Sequence, residues 1–480
     1  MDVLTKRHSL LRFLRVYALS GIVLFFFLFV LVKTENMQHN LLAIALFAII
    51  AAVSFFLYVK SVANYAYSLS MMHWLFCLIF YGIAGFTQYL TNRFVYSLQV
   101  SDDILLYALM AILLWMFSFF LGSNLEITQS RGSLCRTLKA KIKPNYSFIV
   151  FSTITSVMIA GYILWQGGLS SLFSRSTGGM AFSRELQSET LLLSSLMRNF
   201  VLYSLVLSLV FSRRLRKGWF LVAVQMLCCL VVNPPLGMAR YNVAVVYVGL
   251  MLIMFPRLKS NRVFSLIFFL SFVFLFPMIN VFRNFSLGEV SFEMLVATVD
   301  NIATNFLHGD YDAFSMIINT VNYVYENGIS WGYQLLGPLL FFVPRSIWPN
   351  KPTGSGHTVR VYQGHQFTNV SSPLIAEGII NFGLVGVGIF GLGFGKITRT
   401  LDALFWEQQF EDNNRSIDII YPFLLPLFFF MNRGDLLSTF SYMFSHVAVF
   451  FTLSWINNLF LIPRAGDMNT KTPNLYAYKR

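Results

Sequence analysis

Apolar residues in this chain occur in long blocks that are separated by short polar connections. Most blocks are about 20 residues long and nearly free of charge, which is the length of helix that crosses a hydrocarbon core of about 30 Å. The pattern predicts an all-α, polytopic integral membrane protein with about 12 transmembrane helices. The predicted spans cover residues 14–32, 40–59, 66–86, 104–122, 147–165, 191–211, 218–234, 241–256, 263–281, 373–395, 417–432 and 438–461. Pro234 and Pro235 leave open whether residues 218–256 form a hairpin or one broken helix.

One long segment, residues 282–372, separates the ninth and tenth predicted spans. Apolar residues recur twice at helical spacing within it, at Phe292, Leu295, Val296, Val299, Ile302 and Phe306 and again at Phe314, Ile317, Ile318, Val321 and Val324. Residues 335–349 are apolar but too short and too proline-rich to span, which favours a re-entrant or interfacial segment. The pattern therefore predicts one long, folded loop with amphipathic helices.

These boundaries divide the chain into four parts. Residues 1–281 are predicted to form an N-terminal transmembrane bundle of about nine helices, and residues 282–372 the large loop on the outer, periplasmic side. Residues 373–461 are predicted to hold about three further transmembrane helices. Residues 462–480 would then form a cytoplasmic tail.

Composition and charge fix the class and the orientation. Hydrophobic residues make up 56% and charged residues 12% of the 480 positions, whereas a soluble domain carries about 25% charged residues. This excludes a soluble enzyme, a disordered chain and a secreted disulfide scaffold. With a cytoplasmic N-terminus, 24 of the 35 Lys and Arg residues fall in inner segments and ten in outer segments, as expected from the positive-inside rule. Orientation therefore explains most of the net charge of +14, so no nucleic-acid partner is expected. Because the predicted number of spans is even, both termini are predicted to be cytoplasmic.

Basic residues on the outer side oppose the orientation bias and need another explanation. Arginine suits phosphate oxygens because its guanidinium is planar, permanently charged and rich in donors. A cationic cavity beside lipid would suit a lipid-linked phosphate or diphosphate. The alternative for each residue is contact with lipid headgroups or with a loop carboxylate. The outer residues that could converge on such a cavity are Arg240, Arg283, Arg345, Lys351, Arg360 and Arg433.

The stretch from Val343 to Pro352 is the most distinctive in the chain. Its three prolines restrict the backbone, and it carries Arg345 and Lys351 with Trp348 between them. A stiff segment loses less entropy when it holds a ligand, and the Trp348 ring offers a face for a sugar. An interfacial anchor at headgroup level is the alternative.

Acidic and histidine side chains provide candidates for a general base. His308, Asp310 and Asp312 precede a helical pattern, so either carboxylate could instead be an N-cap. Glu377 lies about one turn inside the tenth predicted span, where an ionisable residue is a functional candidate. Asp435 would either form a local ion pair with Arg433 or orient Arg433 toward phosphate.

From the sequence we expect neither a bound metal nor a dinucleotide cofactor. The cysteines and histidines lack the spacing of a metal site. Residues 386–391 match the GxGxxG pattern but lie inside an apolar span without a βαβ context. The glycines between 378 and 395 are predicted to allow close helix packing instead.

Together these motifs resemble the oligosaccharide repeat-unit polymerases, the Wzy or O-antigen polymerase group. The matching stretches lie mainly in residues 237–440 and are Gly237–Arg240, Gly309–Asp312, Pro344–Pro352, Glu377–Gly383 and Asn432–Asp435. The resemblance implies a GT-C-like bundle in the bacterial inner membrane with its active site facing the periplasm. It implies block transfer of a growing glycan from one undecaprenyl diphosphate to a new lipid-linked repeat unit, in lipopolysaccharide or related polysaccharide biosynthesis. The implied partners are a flippase, a chain-length-regulating co-polymerase, the lipid bilayer and undecaprenyl-diphosphate-linked oligosaccharides.

The residues suggest a mechanism that fits this activity. Arg240, Arg345, Lys351 and Arg433 would hold the two diphosphates, with Arg283 and Arg360 in support, because negative charge develops on the leaving group. Glu377, Asp310 and His308 are alternative general bases. The competing functions are a flippase for the same lipid-linked unit, an O-antigen ligase and a membrane scaffold. The outer position of the charges argues against a flippase.

Overall fold

The computed structural model describes residues 40–96, 100–125, 133–168, 188–235, 238–260, 263–271, 302–407 and 414–461, with the single residues Gly21, Ser291 and Glu293. The described part is helical and contains no strand, only one isolated bridge between Lys141 and Arg415. The longer helices are α1 (Leu41–Asn64), α2 (Leu69–Leu90), α3 (Asp102–Asn124), α4 (Ser133–Lys139), α5 (Tyr146–Gly167), α6 (Ser188–Leu215), α7 (Trp219–Val232), α8 (Arg240–Met254), α9 (Val263–Leu270), α10 (Ala313–Asn327), α11 (Ser355–Tyr362), α12 (Leu374–Trp406), α13 (Ser416–Arg433) and α14 (Leu436–Leu459).

Seven of these helices are long and apolar enough to cross a membrane, among the residues that the structure describes: α1, α2, α3, α5, α6, α12 and α14. They coincide with seven of the twelve spans that the hydrophobic pattern predicts, so an all-α membrane protein is confirmed. The predicted spans 218–234 and 241–256 are the separate, shorter helices α7 and α8. Apart from Gly21, the span 14–32 lies outside the described residues, as does most of the predicted helix 292–306.

The chain forms two compact units. Unit 1 comprises Met1–Arg136, Ala239–Glu411 and Tyr421–Met443, and unit 2 comprises Thr137–Met238, Asp412–Ile420 and Phe444–Arg480. In unit 2 the helices α5, α6 and α7 pack together around polar side chains. The Gln225 amide lies 2.9 Å from the hydroxyls of Ser152 and Thr153. Buried amides and hydroxyls of this kind bind neighbouring helices together in an apolar surrounding.

Helix α2 is the core of unit 1, since 94% of its most apolar window is buried. It begins at Ser68, whose hydroxyl accepts a hydrogen bond from the Met71 amide, as expected for an N-cap. Residues Cys77–Ala84 widen into a π-helical segment. Beyond it, the Gln88 side chain donates to the carbonyl oxygens of Phe306 and Tyr311, both at 2.9 Å. The end of α2 therefore fixes the chain that leads into α10.

Helix α12 is broken near its start, at Phe382 and Gly383, where Gly383 adopts a positive φ of 62°. Only glycine takes this conformation readily, so the short arm Leu374–Asn381 changes direction here. The carbonyl of Ile380, which the break leaves without a helical partner, accepts from the Ser330 amide at 2.7 Å. Gly378 packs against the backbone of Gly386 and Val387. Glu377 therefore lies on a short arm that folds back on the rest of α12.

Four glycines of α12, Gly378, Gly386, Gly391 and Gly395, allow close packing, as the sequence predicts. A Cβ atom on Gly391 would lie 2.8 Å from the Ser118 Cβ and 3.1 Å from the Trp115 carbonyl oxygen of α3. A Cβ on Gly395 would overlap the Phe119 carbonyl oxygen. Only the absence of side chains lets the two backbones approach so closely.

Two glycines on α12 give a matched test of this packing. We expect Gly395→Ala to lower the free energy of unfolding by about 1–3 kcal/mol, because the new methyl group overpacks against α3. Gly393→Ala should leave stability unchanged or raise it by up to about 1 kcal/mol, because a Cβ there meets no atom within 4 Å and alanine favours helix. Denaturant titration of the purified protein, followed by tryptophan fluorescence, measures both. Equal destabilisation by the two variants would contradict the packing interpretation.

Candidate functional site

The segment Gly309–Asp312 is the centre of the candidate site and lies wholly in unit 1. It forms a short 3-10 turn at Gly309–Tyr311 and leads directly into α10. The predicted helical periodicity after it is confirmed by α10. The Tyr311 ring is buried against Phe306 and Phe80. These contacts, with those of Gln88, hold the segment rigidly at the end of α2.

Two arginines from different helices converge on this segment. Arg240, the first residue of α8, places its Nη2 2.5 Å from Asp310 Oδ1. Arg433, the last residue of α13, donates from Nη2 to the Gly309 carbonyl at 2.9 Å and to Asp312 Oδ1 at 3.0 Å. The helices that carry them are joined by Tyr241, whose ring stacks on Phe430 at 3.9 Å. We call Arg240, Asp310, Asp312 and Arg433 the arginine–carboxylate cluster.

Asp312 has a different role from the N-cap that its sequence position suggests. It occupies the N-cap position of α10, but its side chain makes no capping hydrogen bond. Its Oδ2 instead accepts from the Ser371 amide at 3.1 Å, while Oδ1 accepts from Arg433. Its side chain is 1% exposed. Because both oxygens are used, Asp312 fixes the direction in which the Arg433 guanidinium points.

Arg433 keeps unused donors after these contacts. A guanidinium carries five N–H donors, and both of its hydrogen bonds come from Nη2. The Arg433 Nε is buried and has no hydrogen-bond partner in the described part of the chain. A buried donor without a partner in a native structure requires an explanation, such as an absent ligand or water. The 26% exposure of the side chain leaves room for an anion to approach.

Arg360 lies next to the cluster through Tyr96. Its guanidinium stands 4.7 Å from the centre of the Tyr96 ring and donates to the Tyr96 carbonyl at 3.1 Å. It also donates to Gln363 at 3.1 Å. The Tyr96 hydroxyl in turn lies against Gly309. Arg360 is buried and contributes positive charge behind this tyrosine. Burial and the negative charge of Asp312 raise the pKa of Tyr96.

Arg345, Trp348 and Lys351 lie in a self-contained turn. The Lys351 ammonium donates to the carbonyl oxygens of Phe341 and Val343 at 2.6 and 3.0 Å. The exposed Arg345 donates to the Lys351 carbonyl at 2.8 Å. Trp348 is half-buried. Burial and the positive charge of Arg345 lower the pKa of Lys351. The two cations therefore hold the proline-rich turn together, and no described contact joins them to Arg240 or Arg433.

Glu377 and Asp435 meet at the N-terminus of α14. Glu377 Oε1 accepts from the Leu436 amide at 3.0 Å and Oε2 from the Ser355 hydroxyl at 2.7 Å. Asp435 Oδ1 accepts from the Ser438 amide at 2.8 Å. Carboxylates are stabilised at such a site by the amides and the dipole of the helix. Asp435 therefore caps α14, while its neighbour Arg433 pairs with Asp312. Burial raises the pKa of Asp435, against the hydrogen bond from Ser438.

The first turn of α11 connects these carboxylates with the cluster. Gly354 lies against the Asp435 carboxylate, and Gly356 lies against the Ser371 carbonyl, 2.7 Å from where its Cβ would be. Ser371 is also the residue whose amide binds Asp312. The His357 Nδ1 in this turn is buried and has no hydrogen-bond partner among the described residues. The Gly354–His357 turn is thus part of the site. In the sequence, the only sign of this is its small residues, which let the turn approach Asp435 and Ser371 closely.

The remaining candidates are placed as follows. His308 is exposed beside the cluster, and Arg283 lies outside the described residues. Sequence reasoning missed Tyr96, Ser355 and Ser371, because their importance comes from contacts with distant parts of the chain. It also missed His357, whose burial only the structure shows. No group of His, Cys, Asp and Glu within the described residues is arranged to hold a metal ion.

Comparisons with known proteins return no match: no family model, no curated protein and no solved structure is similar to this chain.

Proposed function

We propose that this protein is a Wzy-type glycosyltransferase that joins undecaprenyl-diphosphate-linked oligosaccharide repeat units into O-antigen or a related surface polysaccharide. The growing glycan would be transferred as a block to a new lipid-linked unit. The observation that carries the proposal is the convergence of Arg240 and Arg433 on the segment Gly309–Asp312. Two guanidiniums held in fixed directions at the ends of apolar helices suit a lipid-linked diphosphate.

The two carboxylates of the cluster, Asp310 and Asp312, orient the arginines for diphosphate binding. Asp312 binds Arg433 through one oxygen and the Ser371 amide through the other, so it orients the guanidinium and leaves the other nitrogens of Arg433 for phosphate oxygens. Asp310 orients Arg240 in a similar way through a single oxygen, which lies against Nη2 of the guanidinium. Donors that are held in place before the reaction stabilise the developing charge without reorganising. Arg360 adds a third positive charge close to Tyr96.

The reaction is a substitution at the anomeric carbon of the growing glycan. The acceptor hydroxyl oxygen forms the new bond, and the bond from the anomeric carbon to the diphosphate oxygen breaks. Its electron pair stays on the leaving undecaprenyl diphosphate, where Arg240 and Arg433 would bind the charge. The hydroxyl proton would pass to a general base.

Glu377 is the general base that the contacts favour among the three sequence candidates. Asp310 is committed to Arg240, and His308 is exposed. Each oxygen of Glu377 accepts one described hydrogen bond, and a carboxylate oxygen can accept two. The Leu436 amide that Glu377 binds follows Arg433 by three residues, which supports a base close to the proposed diphosphate site.

The finer architecture belongs to the same proposal. It comprises 12 spans, as the hydrophobic pattern predicts, a GT-C-like bundle, both termini in the cytoplasm, and a site facing the periplasm from the inner membrane. Arg345, Lys351 and Trp348 would shape the glycan entrance from their stiff turn, and Arg283 and Asp435 would support the diphosphate site. A flippase and a chain-length-regulating co-polymerase would be the protein partners, and no cofactor is required.

An assay with a defined substrate tests the proposal. We expect the purified protein in lipid nanodiscs to convert a synthetic undecaprenyl-diphosphate-linked repeat unit into a ladder of lipid-linked oligomers. Undecaprenyl diphosphate would be released as the second product. Gel electrophoresis and mass spectrometry of the glycans measure the ladder. Transfer only to a lipid A core acceptor would identify a ligase, and translocation without a new glycosidic bond would identify a flippase. Either result would overturn the polymerase proposal.

A further inference from the structure

A polar cavity of about 540 Å³ lies in unit 1, away from the arginine–carboxylate cluster. Its lining is formed by the C-terminal ends of α1 and α3, the N-terminal end of α2 and the last part of α12. Gln88 and Tyr96, which contact the candidate site, lie at the other end of α2. The cavity is therefore separate from that site, and its volume lies within the range of about 300–1,000 Å³ that is typical of ligand pockets.

Two cations in the lining have no acidic partner in the part of the chain that the structure describes. The Lys60 ammonium stands 5.7 Å from the centre of the Phe120 ring, and this ring is its one described contact. Arg399 makes no described hydrogen bond or ion pair. The Asn64 amide and the Tyr65 hydroxyl, which also line the cavity, make no described side-chain hydrogen bond. The cavity thus presents two charged and two neutral donor groups without acceptors.

Asp402 is the acidic residue of the lining, and its charge is already used. Oδ1 accepts from the Leu69 amide at 2.8 Å and from the Tyr421 hydroxyl at 2.5 Å. Oδ2 accepts from the amide and the hydroxyl of Ser70 at 3.2 and 2.8 Å. Four donors and the N-terminus of α2 balance this carboxylate. Lys60 and Arg399 are left to attract an anion.

We propose that this cavity binds a phosphate-bearing headgroup, with Lys60 and Arg399 on the phosphate oxygens and Asn64 and Tyr65 on further oxygens. Two cations and two neutral donors in one polar pocket suit the several oxygens of a phosphate group. The source of the phosphate is either an anionic membrane lipid or a free phosphate compound. The lipid source is favoured because the lining lies at the ends of apolar helices, where headgroups of the bilayer meet the protein. This site does not depend on the proposed polymerase activity.

The test compares two pairs of charge-removing substitutions in the full-length protein in detergent. The double variant Lys60→Gln/Arg399→Gln removes the two cations of the cavity. The control Arg136→Gln/Lys396→Gln removes the same charge from exposed residues that do not line the cavity, and Lys396 lies one turn from Arg399. Native mass spectrometry measures the apparent Kd for phosphatidylglycerol, with phosphatidylcholine as the uncharged comparison.

We expect the cavity variant to bind phosphatidylglycerol about 30-fold more weakly than the unsubstituted protein, which corresponds to about 1 kcal/mol for each lost cation. The control should lose less than about threefold, because its two charges lie outside the cavity and act on the headgroup only over a screened distance. Sodium diphosphate that displaces the lipid would show that a free phosphate compound suffices, whereas failure to displace it would identify the membrane lipid as the ligand. Both results support the site. Equal losses in the two double variants, or unchanged binding in the cavity variant, would overturn it.

Discussion

Replacing Arg433 with alanine is expected to lower the rate of glycan polymerisation by a factor of about 100 or more. Removing one preplaced donor from a developing anion costs a factor of about 100–1,000 in comparable sites. Arg433 is the member of the cluster with a buried Nε that lacks a described partner, so it has the most donors left for a diphosphate. The measurement is the initial rate of ladder formation from a defined lipid-linked repeat unit in nanodiscs.

Three further variants separate chemistry from folding. Arg433→Lys keeps the charge but loses the planar fork, so it should recover only part of the rate. Lys396→Ala, an exposed cation outside the candidate site, should polymerise normally. Thermal unfolding of each variant shows whether the fold survives loss of the Arg433 contact with Asp312. If Arg433→Ala and Arg240→Ala both polymerise at the unsubstituted rate in folded protein, the diphosphate clamp is wrong.

Glu377 is expected to give different results as alanine and as glutamine. Glu377→Ala leaves the Leu436 amide and the Ser355 hydroxyl without their acceptor, in a buried position. An unpaired buried donor costs about 1–3 kcal/mol, so this variant should lower the free energy of unfolding by about 2–4 kcal/mol. Glu377→Gln keeps an oxygen for the Leu436 amide, and the Ser355 hydroxyl can accept from its amide group. Its stability should therefore change by less than about 1 kcal/mol.

The activity of Glu377→Gln then decides the chemical role. A general base typically contributes a factor of about 100–10,000 to the rate, and an amide cannot take the acceptor proton. We therefore expect polymerisation by the folded glutamine variant to fall by about 100-fold. Full activity in that variant would show that Glu377 only caps α14 and that another group removes the proton. Denaturant titration and the ladder assay, run on the same preparations, provide the two measurements.

Helix positions could be predicted well from the sequence, because they depend on local properties. A block of about 20 apolar residues is helical in a bilayer whatever lies around it, since its backbone groups must be satisfied internally. The seven apolar helices long enough to span match predicted blocks for this reason. The periodicity of Phe314, Ile317 and Ile318 likewise identified α10. The break in α12 at Gly383 escaped prediction, because a glycine in an apolar helix is also compatible with an unbroken span.

The partners of the polar side chains could be predicted far less well. Lys351 looked like a free ligand of phosphate, yet its ammonium binds two carbonyl oxygens of its own turn. Asp435 looked like the partner of its neighbour Arg433, yet it caps α14. Several acceptors lie within reach of a long side chain, and burial decides among them. Burial is a property of the assembled unit, so the local sequence does not contain it.

The sequence by itself determined that this is an all-helical membrane protein, where its apolar helices lie, and which few polar residues are available for chemistry. The tertiary structure alone decided that Arg240 meets Asp310, 70 positions along the chain, and that Arg433 meets Asp312 across 121 positions. Helix formation in an apolar block follows from hydrogen bonds between near neighbours in the chain. An ion pair between distant residues forms only where the packing of several helices brings both charges to one place and removes the water between them.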